Sequence, residues 1–161
     1  MSDKQSFVRS LTPHQGLIRS LCAAYFPDEE DRADAFQEVL LQLWRSYPTF
    51  RGESSFVTWL YRIALRTLIR LAKRQRRDPA GPYPVAYEPV VTPPSDSQEI
   101  IHSALGYLTP PDKALVLLYL EGYRTPEIAE VLDLTPTNVS TRFGRIKQKL
   151  RAIISHELSW N

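Results

Sequence analysis

A proline-rich stretch near the middle of the chain constrains the fold more than any other feature. Residues 78–95 read DPAGPYPVAYEPVVTPPS, and six of these 18 residues are proline, out of 13 in the 161-residue chain. Proline lacks a backbone N–H and fixes φ, so the stretch excludes a helix or a central strand and favours a linker of polyproline II character. At roughly 3 Å per residue it would reach about 50 Å. The chain is therefore predicted to form two domains, 1–77 and 97–158, joined by a linker over 78–96.

Apolar residues in both predicted domains recur at helical spacing, and no segment alternates in the manner of a strand. The fold class is therefore predicted to be all-α, with two small helical domains. In the first domain we expect three helices, which begin near Pro13, after residues 27–30 and after Ser54 or Ser55. The residues predicted to be buried are Leu17, Ile18, Leu21, Ala24 and Tyr25 in the first helix, Phe36, Val39, Leu40, Leu43, Trp44 and Tyr47 in the second, and Phe56, Leu60, Ile63, Thr67 and Leu71 in the third.

The second domain carries the pattern of a helix-turn-helix: a short helix, a tight turn and a longer basic helix. Two helices are expected first, over 99–108 and 110–120. A short helix capped by Thr125 then leads through Asp133-Leu134 to a helix that starts at Thr135-Pro136. The alternative is a helical hairpin in a bundle that does not bind DNA. The apolar residues predicted to face inward are Ile128, Ala129, Leu132, Leu134, Val139, Phe143, Ile146 and Leu150.

The remaining surface of the last helix is polar or basic, as a helix that reads base edges in the major groove requires. Its N-terminus also offers free backbone N–H groups to a phosphate. The residues on this surface are Thr137, Asn138, Ser140, Thr141, Arg142, Arg145, Lys147 and Lys149, followed by Arg151.

Charge is segregated along the chain, although the total is only +2. Residues 51–77 carry eight bases and one acid, and residues 135–151 carry five bases and no acid. Between them, residues 78–134 carry two bases and nine acids. Segregated basic segments indicate contact with a polyanion, most often nucleic acid. The alternative is a pair of solvated helix faces.

The third helix of the first domain has a row of arginines at every fourth position, which lies along one face over about 18 Å. Like charges at this spacing repel, so the row makes sense if it tracks phosphates. Trp59 precedes the row by one turn, and its ring is either part of the core or a platform on which a base stacks. The members of the row are Arg62, Arg66, Arg70 and Arg74, with Lys73 beside them.

Several classes of function are disfavoured by what the chain lacks. One cysteine, Cys22, excludes a disulfide framework and a cysteine-based metal cluster. The three histidines are isolated and no carboxylates have metal-ligand spacing, so no cofactor, metal site or catalytic residue is predicted, and a nuclease is disfavoured. The longest apolar run, Ala114–Leu120, is too short for membrane insertion, and no signal peptide is visible. A cytoplasmic location is expected.

The order of these segments resembles the sigma-70 family of bacterial RNA polymerase initiation factors, and within it the extracytoplasmic-function (ECF) group. Residues 31–50, DRADAFQEVLLQLWRSYPTF, are similar to the segment that docks on the polymerase. Residues 54–67, SSFVTWLYRIALRT, are similar to the promoter-melting segment. Residues 119–150, YLEGYRTPEIAEVLDLTPTNVSTRFGRIKQKL, are similar to the DNA-reading domain.

The resemblance implies a non-catalytic specificity subunit that binds core RNA polymerase, recognises promoter DNA and promotes strand opening. An anti-sigma factor is a usual further partner in this family. Docking would use the exposed face of the second helix, and the melted minus-ten element would meet the arginine-row helix and the loop over 48–55. The implied residues are Asp34, Gln37, Glu38 and Leu41 for polymerase, Trp59, Arg62, Arg66, Arg70, Lys73 and Arg74 for the minus-ten element, and the polar face of the last helix for the minus-thirty-five element.

The sequence departs from the family pattern at four places. Leu65-Arg66 replaces an Arg-Asn pair, Thr137-Asn138-Val139 replaces Gly-Thr-Val, Ser140 replaces the lysine or arginine that follows, and Asp133 replaces the glycine of the turn. Aspartate also adopts left-handed backbone angles, so the turn is still expected. A second hypothesis remains open on the residues alone: a stand-alone helix-turn-helix regulator whose first domain serves dimerisation or sensing.

Overall fold

The computed structural model of the chain describes residues 2–77 and 103–158, and all regular elements in these ranges are helical, which confirms the all-α prediction. The described residues divide between Arg74 and Gln75 into two compact units. We call the one that ends at Arg74 the first unit and the one that contains 103–158 the second unit. The linker predicted over 78–96 lies outside the described residues, as does the start of the helix predicted over 99–108.

Residues 2–77 form four α-helices, one more than predicted: α1 (Asp3–Leu11), α2 (Gln15–Tyr25), α3 (Glu29–Ser46) and α4 (Phe56–Arg77). The helix missed from the sequence is α1. It begins with a reciprocal cap, in which Gln5 N donates to Ser2 Oγ at 3.3 Å and Ser2 N donates to Gln5 Oε1 at 3.2 Å. This Ser-x-x-Gln pattern is a recognised helix start that the sequence offers directly.

The starts of α3 and α4 follow the predicted capping chemistry. Asp28 Oδ1 accepts a hydrogen bond from Glu30 N at 3.2 Å. The acidic side chains of the first turn of α3 interact favourably with the positive end of the helix dipole. Of the two serines predicted to cap α4, Ser55 does so, because its Oγ accepts from Thr58 N at 3.1 Å. Both caps satisfy backbone N–H groups that have no partner within the helix.

The buried face of α4 is rotated relative to the predicted stripe. Leu60 and Thr67 are buried as expected, but Phe56, Ile63 and Leu71 are only half-buried. A helix turns once in about 3.6 residues, so the observed set shifts the buried face by roughly a quarter of a turn. That shift puts the arginine row on the side of α4 opposite the core. The buried residues that the periodicity missed are Tyr61, Ala64, Leu65 and Leu68.

The second unit contains, within residues 103–158, the helices α5 (Pro110–Leu120), α6 (Thr125–Leu132) and α7 (Pro136–Leu158). Before α5, the described helical residues are 103–105, so the helix predicted to reach 108 ends earlier, in a turn. Thr109 caps α5, as its Oγ1 accepts from Asp112 N at 3.4 Å. At the other end Gly122 has φ 92°, a left-handed angle that lets Tyr123 N donate to Leu118 O at 3.1 Å and close the helix.

Apolar side chains from all three helices form the core of the second unit, among them Leu115, Leu118, Ile128 and Val139, each fully buried. None of the helices in residues 2–77 and 103–158 combines the length and the apolar character needed to cross a membrane.

The rotation of α4 predicts an unequal effect of two leucine truncations. Leu65 is fully buried, so Leu65→Ala should lower the free energy of unfolding by about 2–5 kcal/mol, whereas Leu71→Ala at the half-buried position should cost about half as much or less. Urea unfolding of the full chain, followed by circular dichroism, measures both. The stripe read from the sequence requires the reverse order, with Leu71→Ala the more damaging, and that order would contradict the observed packing.

Candidate nucleic-acid interface

The turn between α6 and α7 has the backbone geometry of a helix-turn-helix. Asp133 ends α6 with φ 54° and ψ 46°, the left-handed conformation expected from the sequence. This angle reverses the chain, so that both Asp133 N and Leu134 N donate to Ala129 O, the second at 2.9 Å. Asp133 is the one non-glycine residue with positive φ within 2–77 and 103–158. The turn therefore sets the angle at which α7 leaves α6.

Packing between α6 and α7 follows the predicted inward face. Ile128 and Val139 are fully buried, and Ala129 and Ile146 are 3% exposed. The small Ala129 side chain suits a close crossing of two helices. Val131, which lies outside the predicted set, is also buried. The residues of the predicted set that are half-buried rather than buried are Leu132, Leu134, Phe143 and Leu150.

The two helices of the motif begin differently. Thr135 caps α7 as predicted, because its Oγ1 accepts from Asn138 N at 3.1 Å. The prediction that Thr125 caps α6 is wrong by one residue. Arg124 holds the cap position, its side chain makes no capping hydrogen bond, and Thr125 is the first helical residue. Pro126 still lies in the first turn, where its missing N–H costs nothing.

The outward face of α7 is polar over its first two turns. The predicted base-facing residues Thr137, Asn138, Ser140 and Thr141 are all exposed, as are Arg145 and Lys147. Hydroxyl, amide and guanidinium groups are the side chains that read base edges and phosphates. The fold thus brings the predicted contact residues onto one accessible surface.

Two predicted contact residues of α7 are held by their own chain. Arg142 is half-buried: its Nε donates to Asn138 Oδ1 at 2.8 Å, and its Nη1 lies 3.6 Å from Asp112 Oδ1. Lys149 Nζ donates to the backbone oxygen of Tyr107 at 2.7 Å, which ties the middle of α7 to the turn before α5. The contacts of Arg142 with Asp112 and of Lys149 with Tyr107 were not predicted, because these partners lie 30 and 42 residues away along the chain.

The basic row of α4 faces outward. Arg66, Arg70 and Arg74 are exposed with Lys73, and Arg62 at the start of the row is half-buried. Although Arg66 is exposed as a residue, neighbouring atoms partly desolvate its guanidinium, and this desolvation, followed by the charge of Arg62, lowers the pKa of that group from its usual value. An anion placed along this face would relieve that crowding of like charges.

The arginine row is joined to the predicted docking face by an ion pair. Arg70 Nη2 lies 3.2 Å from Glu38 Oε1 on α3, and Gln42 Nε2 donates to the same oxygen at 3.1 Å. The hydrogen bonds from Gln42 and Arg70 lower the pKa of the Glu38 carboxyl. Asp34, Gln37 and Leu41 on the same face of α3 are exposed, and Leu41 exposes 40% of its surface.

Trp59 belongs to the core of an aromatic cluster and does not offer a free face to a base. Its side chain is 8% exposed, and its ring centroid lies 5.2 Å from that of Phe50, 5.4 Å from that of Phe56 and 6.2 Å from that of Tyr47. Of the two interpretations of Trp59, core packing therefore holds. Its position three residues before Arg62 places it on the same face as the row, so its ring anchors the loop after α3 at one end of that row.

Trp44 is exposed where burial was predicted. It exposes 42% of its surface, and its ring lies 5.2 Å from that of the buried Phe7. Phe7 belongs to α1, so the helix missed in the sequence supplies the support for Trp44. Trp44 lies three residues after Leu41, so it shares the exposed face of α3 with Leu41 and Gln37.

Comparison with known proteins identifies both units. Residues 11–78 match the family model of sigma-70 region 2, and residues 98–150 match that of sigma-70 region 4. The chain is 31% identical to the ECF RNA polymerase sigma-E factor of Haemophilus influenzae, over 92% of this chain and 87% of that protein. It is 28% identical to the RNA polymerase sigma-H factor of Pseudomonas aeruginosa, over 92% and 86% of the two chains.

Solved structures share the fold. The sigma factor RpoE in complex with the anti-sigma factor NepR, from Bartonella quintana, superposes with a TM-score of 0.72 at 17% identity, covering 94% of this chain and 98% of that one. CnrH in complex with the cytosolic domain of CnrY gives a TM-score of 0.64 at 24% identity, covering 95% and 90%.

The two units are helical, one with a helix-turn-helix and the other with an outward basic row. This combination is typical of a DNA-binding protein that acts in transcription. The matches to both regions and the relatives make the class specific. The chain belongs to the sigma-70 family of RNA polymerase sigma factors, in its ECF group. The match of the first unit to region 2 overturns the hypothesis of a stand-alone helix-turn-helix regulator.

The left-handed turn predicts a difference between two substitutions of Asp133. Both Asp133→Gly and Asp133→Ala remove the side chain, but glycine adopts positive φ freely and alanine does not. We therefore expect Asp133→Ala to be less stable than Asp133→Gly by about 1 kcal/mol. Thermal or urea unfolding of the two variants measures the difference. Equal stability would show that the left-handed conformation carries no backbone cost, contrary to the geometry of the turn.

Proposed function

We propose that this sigma factor binds core RNA polymerase through α3, reads the minus-thirty-five element with α7 and holds the melted minus-ten element along α4. The observation that carries the proposal is the placement of two cationic surfaces on helices whose other faces form the cores of their units. Phosphate contacts then fix the register of the protein on DNA, and base contacts supply the sequence preference.

The minus-thirty-five element is assigned to the outward face of α7. The exposed Thr137, Asn138, Ser140 and Thr141 lie within the first two turns, the part of a recognition helix that reaches base edges. The assignment also includes the cationic residues that follow on α7, which are Arg142, Arg145, Lys147 and Lys149. Their expected partners on DNA are phosphates and guanine edges.

The minus-ten element is assigned to the arginine row and the loop at its end. Arg70, Lys73 and Arg74 would hold the backbone of a strand, while its unstacked bases meet Arg62, Arg66 and the loop anchored by Trp59. Opening a duplex costs a few kcal/mol for each unpaired step, and capture of the extruded bases offsets that cost. Trp59 acts here through the loop that it supports.

Polymerase docking is assigned to the face of α3 that carries Asp34, Gln37, Glu38 and Leu41. An exposed leucine among carboxylate and amide groups combines an apolar anchor with polar specificity, as interfaces do. Two DNA sites of modest affinity on one chain gain by effective concentration only when both engage together. The isolated chain is therefore expected to bind DNA poorly, and the polymerase complex to bind it tightly.

The further partner and the location follow from the same role. We propose that an anti-sigma factor binds this chain, supported by the related sigma factor RpoE, which was crystallised with the anti-sigma factor NepR. Action with core RNA polymerase on chromosomal DNA implies the cytoplasm. We also propose that the chain performs no catalysis itself, in keeping with its membership of a family of non-catalytic specificity subunits.

Reconstitution with core polymerase tests the function. The full chain mixed with core enzyme should elute as one complex in size-exclusion chromatography and yield discrete run-off transcripts from a library of genomic promoter fragments. Core enzyme alone should yield none of these transcripts. A chain that binds DNA tightly as a homodimer and leaves transcription unchanged would contradict the proposal.

The arginine row predicts a change in salt dependence. Arg74→Ala in the polymerase complex should weaken binding to any selected promoter fragment and reduce the slope of log K against log salt by about 1, since one phosphate contact is lost. Lys4→Ala removes the same charge from the exposed surface of α1 and should leave the slope unchanged. Fluorescence anisotropy over a salt series measures both, and equal slopes for Arg74→Ala and the wild type would remove Arg74 from the DNA surface.

A further inference from the structure

Arg142 differs from the other predicted contact residues of α7 because two groups of its own chain hold its guanidinium. Nε donates to Asn138 Oδ1 at 2.8 Å, one turn earlier on the same helix. Nη1 lies 3.6 Å from Oδ1 of Asp112, in the first turn of α5. The side chains of Arg142 and Asp112 are 35% and 28% exposed, so the pair sits at the edge of the unit and is only partly screened by water.

The two contacts restrain Arg142 but, within residues 2–77 and 103–158, leave most of its hydrogen-bonding capacity unused. A guanidinium has five N–H donors, and the bond to Asn138 takes one of them. The separation from Asp112 is longer than a hydrogen bond, so that contact is an ion pair that takes none. The donors that remain suffice for a bidentate contact with a guanine edge.

The backbone of Asp112 is held by the cap of α5. Its backbone N–H donates to Thr109 Oγ1 at 3.4 Å in the cap of α5, and α5 packs within the same unit as α7. A carboxylate held beside the recognition helix would repel nearby phosphates, which is a cost for a protein that binds DNA. This cost would be offset if the carboxylate improves the way in which Arg142 recognises DNA.

We propose that Asp112 is a positioning residue that makes Arg142 selective for a base edge. The carboxylate offsets the charge of the guanidinium, so that Arg142 gains less from an arbitrary phosphate, while Asp112 and Asn138 together fix the direction of its remaining donors. The proposal rests on the proposed role of α7 in reading the minus-thirty-five element and names a residue outside α7 that shapes that reading.

Selection from a randomised duplex tests the proposal and does not require the promoter sequence. The polymerase complex formed with the full chain is presented with fragments randomised over their whole length, and sequencing of the bound fraction gives the base preference at each position. Arg142→Ala should abolish the preference at one or two base pairs. Asp112→Asn should reduce the preference at those same base pairs by about tenfold and leave the other positions unchanged.

A matched control separates this effect from general electrostatics. Glu130→Gln removes the same charge from the exposed surface of α6 and should preserve the base preferences at all positions. In the Arg142→Ala background, Asp112→Asn should cause no further loss of preference. Asp112→Glu keeps the charge on a longer arm and should give an intermediate preference at the same base pairs.

Three results would overturn the proposal. Asp112→Asn with wild-type preferences would show that the carboxylate does not act through Arg142. A uniform loss of preference at all positions in both Asp112→Asn and Asp112→Glu, with a lower melting temperature, would assign Asp112 to the stability of α5 alone. Selection of no sequence by the wild-type complex would remove the proposed function of α7 and this inference together.

Discussion

The structure depends on the division of each basic helix into two faces. The apolar face packs in the core of its unit, and the cationic face lies at the surface. On α4 the buried side chains Leu60, Leu65 and Leu68 lie opposite the arginine row. Burying leucine side chains supplies the favourable free energy, about 1.5–3 kcal/mol for each, that offsets the repulsion among neighbouring guanidinium groups. The helix can then present a row of positive charge to solvent and remain folded.

Intramolecular partners modify the cations at selected points of that surface. Glu38 engages Arg70, Asp112 engages Arg142, and the backbone oxygen of Tyr107 engages Lys149. Each partner restricts the conformations of a long side chain before a ligand arrives, which lowers the entropy that binding must remove. In the first unit the Glu38–Arg70 pair also joins the proposed polymerase face to the proposed DNA face.

The sequence predicts much of this structure because the deciding interactions are local. Capping by Asp28, Ser55 and Thr135 and the left-handed turn at Asp133 depend on residues within a few positions, and the all-helical fold follows from apolar periodicity. Helix α1 could also be predicted from the sequence, because Ser2 and Gln5 form a capping box.

The missed features depend on tertiary packing. The rotation of the buried face of α4 and the exposure of Trp44 are set by which helix or loop covers each side, and sequence spacing alone does not contain that information. The same information decides between the two interpretations of Trp59, which the sequence left open. For the same reason Asp112 could not be assigned, since its partner Arg142 lies 30 residues away.

The central claim is that both cationic faces contact DNA only when the chain is bound to RNA polymerase. Site-specific photocrosslinking measures this directly, with a photoreactive amino acid at position 73 on α4 and, separately, at position 141 on α7, in the polymerase complex on a fragment that it transcribes. The account predicts crosslinks to DNA near the transcription start from position 73 and further upstream from position 141, both dependent on core enzyme. Crosslinks confined to protein at both positions, or DNA crosslinks of equal yield without core enzyme, would contradict it.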